Sequence, residues 1–399
     1  MRIPVRSWCE DVDPEAMRQA IDLACHPKTL RHVALMPDCH VGYGMPIGGV
    51  IACDNAVIPN AVGVDIGCGM CAVRTSLKRS ALGNMPEIRE LLNQVREHIP
   101  LGEGHSHILP VEWHGFKEYL ENVPEPPGWM DERGWTLAAL NLGSLGGGNH
   151  FIEIQYDEDD NVWLMLHSGS RNLGYRIAEF YHQQAVAYCK ERELPVPNTQ
   201  LAYLPADSKE GLDYIRDMNF ALQYALENRA RMMQVFKNAL SDNFSGISFE
   251  PEINIHHNFA SLERIDDCDA WIHRKGATSA GNGQLGIIPG SMGTASYIVR
   301  GLGNPDSFES CSHGAGRKFG RTEACRVLSV EQCDQAMTGI VFDRWKAQRR
   351  RAKSKGRGKN LLDLSEAPPA YKDIKDVIAS QFDLVEPLIK LLPLGVLKG

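Results

Sequence analysis

The sequence lacks any apolar run near the roughly 18 residues that a membrane-spanning helix requires, and its first residues, MRIPVRSW, lack the apolar stretch of a secretory leader. A cytoplasmic chain with no membrane partner is the expectation. Positive charge is also in deficit: 42 Lys and Arg stand against 50 Asp and Glu, a formal net charge of -8. That excludes a uniformly basic coat for nucleic acid and leaves room for a local basic face. Two nucleotide-binding signatures are missing. No GxxxxGK[ST] occurs, and the glycine run Gly146 to His150 (GGGNH) leads into the strand-like Phe151 to Gln155 rather than into a helix. The K-x-D-G setting of a nucleotidyl-lysine ligase is missing too, which leaves a histidine nucleophile open. The eleven cysteines are an odd number, and only Cys68 and Cys71 form a CxxC pair, so they read as reduced thiols, core residues or metal ligands rather than a disulfide framework.

What is present begins with enough apolar sequence, 43% of 399 residues, to bury a large core. Apolar residues at three- and four-residue spacing predict helices over Pro14 to Cys25, Pro86 to Ile99, Leu173 to Arg192 and Ser208 to about Leu240. Short apolar runs predict strands at 32–36, 49–52, 70–74, 151–155, 162–167, 253–256, 270–273 and 297–300. The two kinds do not alternate regularly and no repeat is visible, so the expected fold is α+β: one domain over 1–399, with an irregular mixed sheet core covered by helices.

Glycine, 37 residues in all, gathers in clusters at 42–49, 63–69, 143–148, 169–174, 281–293 and 314–320. Each permits close backbone approach, and nearly all adjoin a His, Cys or Asp, so the clusters point to loops converging on one site. Residue types that bind metal stand beside them: Asp65, Cys68, Asn149, His150, His167, His256, His257 and His313. Such dispersed ligands suit a catalytic rather than a structural metal, and a thiolate with a carboxylate and imidazoles could hold zinc or manganese. Cys71, opening an apolar run, reads as core. One segment, Arg344 to Lys359 (RWKAQRRRAKSKGRGK), carries nine cations and no acid, leaving 33 basic against 50 acidic residues elsewhere. It is either a solvated loop or a contact for a phosphate backbone.

These residues fall in motifs, and over nearly the full length the chain resembles the RtcB-type RNA-splicing ligases. The carriers are MPDCHVGYG (36–44), PIGGV (46–50), AVGVDIGCGM (61–70), GGNHFIE (147–153), HSGSR (167–171), HHN (256–258), RKGA (274–277), IPGSMG (288–293), SHGAGR (312–317), AYKD (370–373) and the terminal Lys398-Gly399. The resemblance implies a GTP- and manganese-dependent enzyme that joins an RNA 3'-phosphate or 2',3'-cyclic phosphate end to a 5'-hydroxyl end, with its active site in a central cleft. It implies that Asp65, Cys68, His150, His167 and His257 bind two manganese ions with the Cys68 thiolate between them. His313 would be the guanylylated nucleophile, with Asp38, Arg171 and Arg317 as catalytic partners, the arginines clamping phosphates through bidentate contacts. Asn149, Glu153, Ser291, Gly314, Gly316, Tyr371 and Lys398 would surround GTP, Glu153 and Lys398 reading guanine.

The sequence departs from the family pattern at Asn172, where many relatives have Gly, and over Leu101 to Gly128, which is unlike the basic segment of some bacterial members. Histidines 105, 107 and 114 in that stretch read as loop residues rather than a further metal site. GMP capping of 3'-phosphate ends without joining stays as an alternative. A non-catalytic RNA-binding relative is the other, and the full set of ligands and the nucleophile argues against it. The physiological RNA, an archease-like activator and the oligomeric state are left open.

Overall fold

The computed structural model describes residues 1–347 and 362–399. The basic run at 344–359 therefore lies outside the described residues from position 348 onward. Two large sheets carry the chain, the smaller one mixed as expected and the larger one antiparallel throughout. A five-stranded sheet has the order Val5–Ser7, Thr29–His40, Ile47–Cys53, Cys268–Lys275, Asn258–Ile265. A seven-stranded sheet has the order Leu285–Ile288, Ser296–Gly301, Val385–Lys398, Phe151–Tyr156, Asn161–Ser168, Gly69–Lys78, Ile253–His256. The paired strands run antiparallel except Val5–Ser7 with Thr29–His40. The α+β expectation and every predicted strand are present.

Register in the larger sheet explains why distant sequence motifs meet. Lys398 pairs with Phe151, Phe151 with His167, and His167 with Met70, while Gly69 faces Ser168 on one side and His256 on the other. One edge of the sheet thus presents, in spatial order, the neighbourhoods of Lys398, His150, His167, Cys68 and His257. The turn from Ile253–His256 into Asn258–Ile265 carries His257 from this sheet to the other. Ala277–Ser279 pairs with Ser310–Ser312, and the Ala277 amide donates to His257, so His313 arrives at the same place.

Helices cover these sheets. Lys209–Asn243, capped by Ser208 accepting from the Gly211 amide, is the longest at 35 residues. Its inward stripe runs Tyr214, Met218, Ala221, Tyr224 and Ala225, then Asn228 and Arg229, then Met232, Met233, Phe236 and Leu240. The two polar residues interrupt an apolar face at four-residue spacing, and both are fully buried. The segment that departs from the family pattern packs here as well: Trp113, Phe116, Tyr119 and Trp129 join Trp135 and Phe220 in one aromatic cluster. His105 and His107 lie in loops, the first exposed and the second with Nε2 3.2 Å from the Gly143 carbonyl, whereas His114, also exposed, opens the helix His114–Asn122 rather than standing in a loop.

Candidate active site

Five donor groups form a chain of close contacts. Asp65 Oδ2 lies 3.3 Å from His150 Nε2, which is 3.4 Å from Cys68 Sγ. Cys68 Sγ is 3.3 Å from His167 Nε2, which is 3.0 Å from His257 Nε2. Cys68 stands in the middle, touching a histidine on each side. Ligating atoms of Cys68, His150 and His167 all fall within 4.8 Å of one another, and Asp65 and His257 extend the chain at either end. Desolvation holds the His167 and His257 imidazoles well below their ordinary value, so they are neutral donors able to ligate a cation. Burial and the Asp65 carboxylate push the Cys68 thiol well up. Desolvation opposes the charge of Asp65, but contacts with His150 and Cys68 win and hold it at about 2. Neutral imidazoles, a carboxylate and a thiol converging without a cationic side chain among them fit a divalent cation, which would draw the proton off the thiol.

The supports of these ligands reach far along the chain. His150 Nδ1 is 2.9 Å from the Leu145 carbonyl, which leaves Nε2 for the shared contact. The Leu145 carbonyl also accepts from Ser168 Oγ, which accepts from Asn228 Nδ2. Asn228 further bonds the carbonyls of Ser144 and Gly169, and its Oδ1 accepts from the amides of Gly143 and Ser144. Arg229 Nη1 donates to the carbonyls of Gly67 and Ser168, the residues adjoining Cys68 and His167. Asn258 donates to the Asp65 carbonyl and accepts from the Gly276 amide. Gly169 is required by this packing, because a Cβ there would run into the Asp65 carboxylate.

His313 borders the cluster, its ring centroid 4.8 Å from that of His257. Asp38 Oδ2 lies 2.6 Å from His313 Nδ1 and accepts from the backbone amides of His313 and Gly314. Asp38 is fully buried, yet the neighbouring His313 keeps its carboxyl below the usual range against that burial. Its strand loses register between Leu35 and His40, an irregularity that turns the side chain toward the 312–317 loop. Lys372 pins both flanking carbonyls, Pro37 at 3.1 Å and Cys39 at 3.0 Å. Gly316, at φ +70°, lies so close to Asp38 that a Cβ would meet its backbone.

A cleft of about 1100 Å³ opens beside His313. Its wall includes Asn149, His167, Ser291, Gly314, Gly316, Arg317, Tyr371 and Lys398. Other candidates sit off the wall. Glu153 is buried, accepts from Gln155 Nε2 at 2.6 Å, and is pushed up to about 8 by burial, with Gln155 and Lys398 pulling the other way. Arg171 holds the Ser144 hydroxyl through Nε at 3.2 Å and feels the Asp65 charge. It and Asn172 adopt left-handed backbone, φ +50° and +70°, a region that Asn tolerates best among residues with a side chain. Arg317, in the wall, is also held by the protein. Nε donates to Phe319, Nη2 to Ser365 at 2.6 Å and Nη1 to Glu366 at 3.2 Å, while the guanidinium stacks on Tyr371 at 5.1 Å. Sequence reasoning missed Asn228, Arg229 and Glu366. Polar residues at inward helix positions were the available signal for the first two.

A sequence model of the family described as tRNA-splicing ligase RtcB matches residues 19–399. The chain is 39% identical over 415 residues to the RNA-splicing ligase RtcB of Escherichia coli (strain K12), covering 99% of this chain and 97% of the relative. It is 32% identical over 473 residues to the tRNA-splicing ligase RtcB of Methanococcus maripaludis, covering 100% and 95%. The RNA-splicing ligase RtcB of Mycobacterium bovis is 32% identical over 450 residues, covering 96% and 100%. With likeness running from end to end in bacterial and archaeal relatives alike, the chain belongs to the tRNA-splicing ligase RtcB family.

Proposed function

We propose that this chain is a cytoplasmic, GTP- and manganese-dependent ligase, folded as one catalytic domain, that joins RNA 3'-phosphate ends to 5'-hydroxyl ends through a guanylylated His313. The observation that carries the reading is the placement of His313 between the Asp38 carboxylate and the Asp65–His150–Cys68–His167–His257 chain. Family membership supports the RNA substrate. The eleven cysteines are all unpaired, which supports a reducing compartment. Among the described residues no helix is long and apolar enough to cross a membrane.

Asp65, Cys68, His150, His167 and His257 would hold the two manganese ions, Cys68 standing in the middle of the set. Bound there, the ions would offset the negative charge of the triphosphate and of the departing pyrophosphate. The protein's own contribution follows from Asp38. By taking the Nδ1 proton of His313 as a hydrogen-bond partner, it directs the Nε2 lone pair outward and stabilises the imidazolium that develops on attack. His313 Nε2 forms a bond to the α-phosphorus of GTP as the bond to pyrophosphate breaks. An oxygen of the RNA 3'-phosphate then takes the GMP from His313, and the 5'-hydroxyl oxygen attacks that 3'-phosphorus, losing its proton and releasing GMP. A 2',3'-cyclic end first takes up water to become the 3'-phosphate. Asn149, Ser291, Gly314, Gly316, Tyr371 and Lys398 line the space for the nucleotide. Glu153, from beneath the wall, and Arg171, beside Asp65, complete it.

End-labelled RNA with a 3'-phosphate, offered with a 5'-hydroxyl partner, GTP and manganese, tests this directly. A joined product that depends on both GTP and manganese is expected. Accumulation of a 3'-guanylylated end without joining would replace ligation by capping, and RNA binding without any chemistry would remove the enzyme reading.

A further inference from the structure

Glu366 belongs to none of the sequence motifs, yet it gathers four side chains: Tyr371 five residues on, Arg317 and Arg321 from one distant segment and Lys398 from another. Its Oε1 accepts from Arg317 Nη1 and Arg321 Nε, each at 3.2 Å. Its Oε2 meets Lys398 Nζ at 3.4 Å and the Tyr371 hydroxyl. All five residues line the cleft beside His313. The carboxylate is 14% exposed, and despite burial its cationic neighbours hold it at about 2, so it is ionised throughout the working range.

The cations around it are not equivalent. Arg317 is fixed without Glu366, by two backbone carbonyls and the Tyr371 ring. For Lys398 and Arg321, Glu366 is the carboxylate partner among the described residues. Lys398 otherwise leans on the Phe151 ring, 5.7 Å from its centroid. A lysine ammonium has three donors, and one directed to Glu366 leaves two turned away from it. The Phe151 ring bounds the flexible four-carbon stem, and among the described residues Glu366 is the charged partner that fixes where those two point.

We infer that Glu366 is a positioning residue for purine nucleotide recognition: with Arg317 and Tyr371 as a rigid base, its carboxylate holds the Lys398 ammonium, and beside it the Arg321 guanidinium, at set points in the cleft. This rests on the reading of the cleft as the GTP site. It is opposed by one effect of the reverse sign, because removing a carboxylate would leave three cations uncompensated and attract a triphosphate more strongly. Position outweighs charge here, since a misdirected donor loses its hydrogen bond outright, whereas Arg317 keeps its two backbone carbonyls and Arg321, 56% exposed, is screened over about 8 Å at physiological salt.

The test is the GTP dependence of self-labelling with manganese and α-labelled GTP, for wild type, Glu366→Gln, Glu366→Asp, Lys398→Ala and the Glu366→Gln, Lys398→Ala double variant. Glu366→Gln, which preserves shape, should raise KM for GTP about tenfold, the scale of one charge-assisted contact, with the rate at saturating GTP nearly unchanged. Glu366→Asp should restore part of the loss, and the double variant should be no worse than Lys398→Ala alone. A lower melting temperature with KM unchanged would make Glu366 a structural ion pair only, and a lower KM would show that charge, not position, governs; either overturns the inference. Should wild type fail to label, the catalytic reading fails by itself. Equilibrium binding of GTP to wild type and Glu366→Gln then decides the role of Glu366 separately.

Discussion

The two ends of the cleft are built on opposite electrostatic principles. Around Cys68, neutral imidazoles and a thiol crowd together with a single carboxylate and no cationic side chain in the chain of contacts. Around Glu366, every charge has a protein partner, with Arg317, Arg321, Lys398 and Tyr371 closing on one carboxylate. The first arrangement has the donors to take up a cation from outside. The second is completed from within, so it presents fixed donors rather than demanding charge. His313 stands at the boundary, with Asp38 on one side and His257 on the other. A residue so placed can accept a group bound at one end under charge compensation supplied at the other.

That contrast can be broken first at the boundary. Asp38→Asn keeps the shape of the buried side chain and removes its charge, so His313 loses the partner that orients its ring and stabilises the imidazolium. Self-labelling should fall by about a thousandfold or more, with metal binding intact, as measured by single-turnover labelling and manganese titration. A variant labelling near the wild-type rate would show that Asp38 merely shapes the loop.

The metal end should fail differently. Asn228→Ala removes the partner of Ser168 Oγ and of two loop amides, so the Leu145 carbonyl and, through it, His150 lose their setting. Manganese affinity should drop about 10- to 100-fold, the usual range for groups that orient ligands. GTP saturation at high manganese should move little. Unchanged manganese affinity would confine Asn228 to folding, read as a loss of thermal stability alone.

At the nucleotide end a pH dependence follows from Glu153. Its carboxyl ionises only near about 8 in the protein because it is buried, and guanine donors would favour the ionised form. GTP binding below that pH therefore releases a proton. Affinity should rise with pH, by at most about tenfold per unit, and level off above about 8. Glu153→Gln should flatten the profile measured at saturating manganese. A wild-type profile that is flat from pH 7 to 9 would place Glu153 outside guanine recognition.

What could be read from the sequence follows the reach of each interaction. The helices at Pro14–Cys25 and Leu173–Glu191 obey their own periodicity, and the expected bounds agree to within a residue. The ligands were marked by the glycines beside them, since Gly169 and Gly316 exist to let chain segments approach Asp65 and Asp38. The long strand Val385–Lys398 was missed because Pro387, Pro393 and Gly395 disguise it. The sheet accommodates them where register slips, at Val299 and between Pro393 and Gly395. Arg229 was legible only in part. Its inward helix position marks it as buried, but its carbonyl partners lie 61 and 162 residues away, so nothing local tells what it holds. Glu366 reaches 49 residues back to Arg317 and 32 forward to Lys398, and no spacing rule connects them. Arg317 was marked by its motif, but its contacts with Phe319, Ser365 and Glu366 lie 2, 48 and 49 residues away, and only the first is local.

The most direct test is to incubate the protein with GTP and manganese and locate any adduct by mass spectrometry of its peptides under alkaline conditions, where a phosphoramidate survives. The expected result is the mass of one GMP on the peptide containing His313, absent without manganese and absent in His313→Ala. GMP carried on any other residue, or persisting in His313→Ala, would contradict the assignment of His313 as the group between the two ends of the cleft.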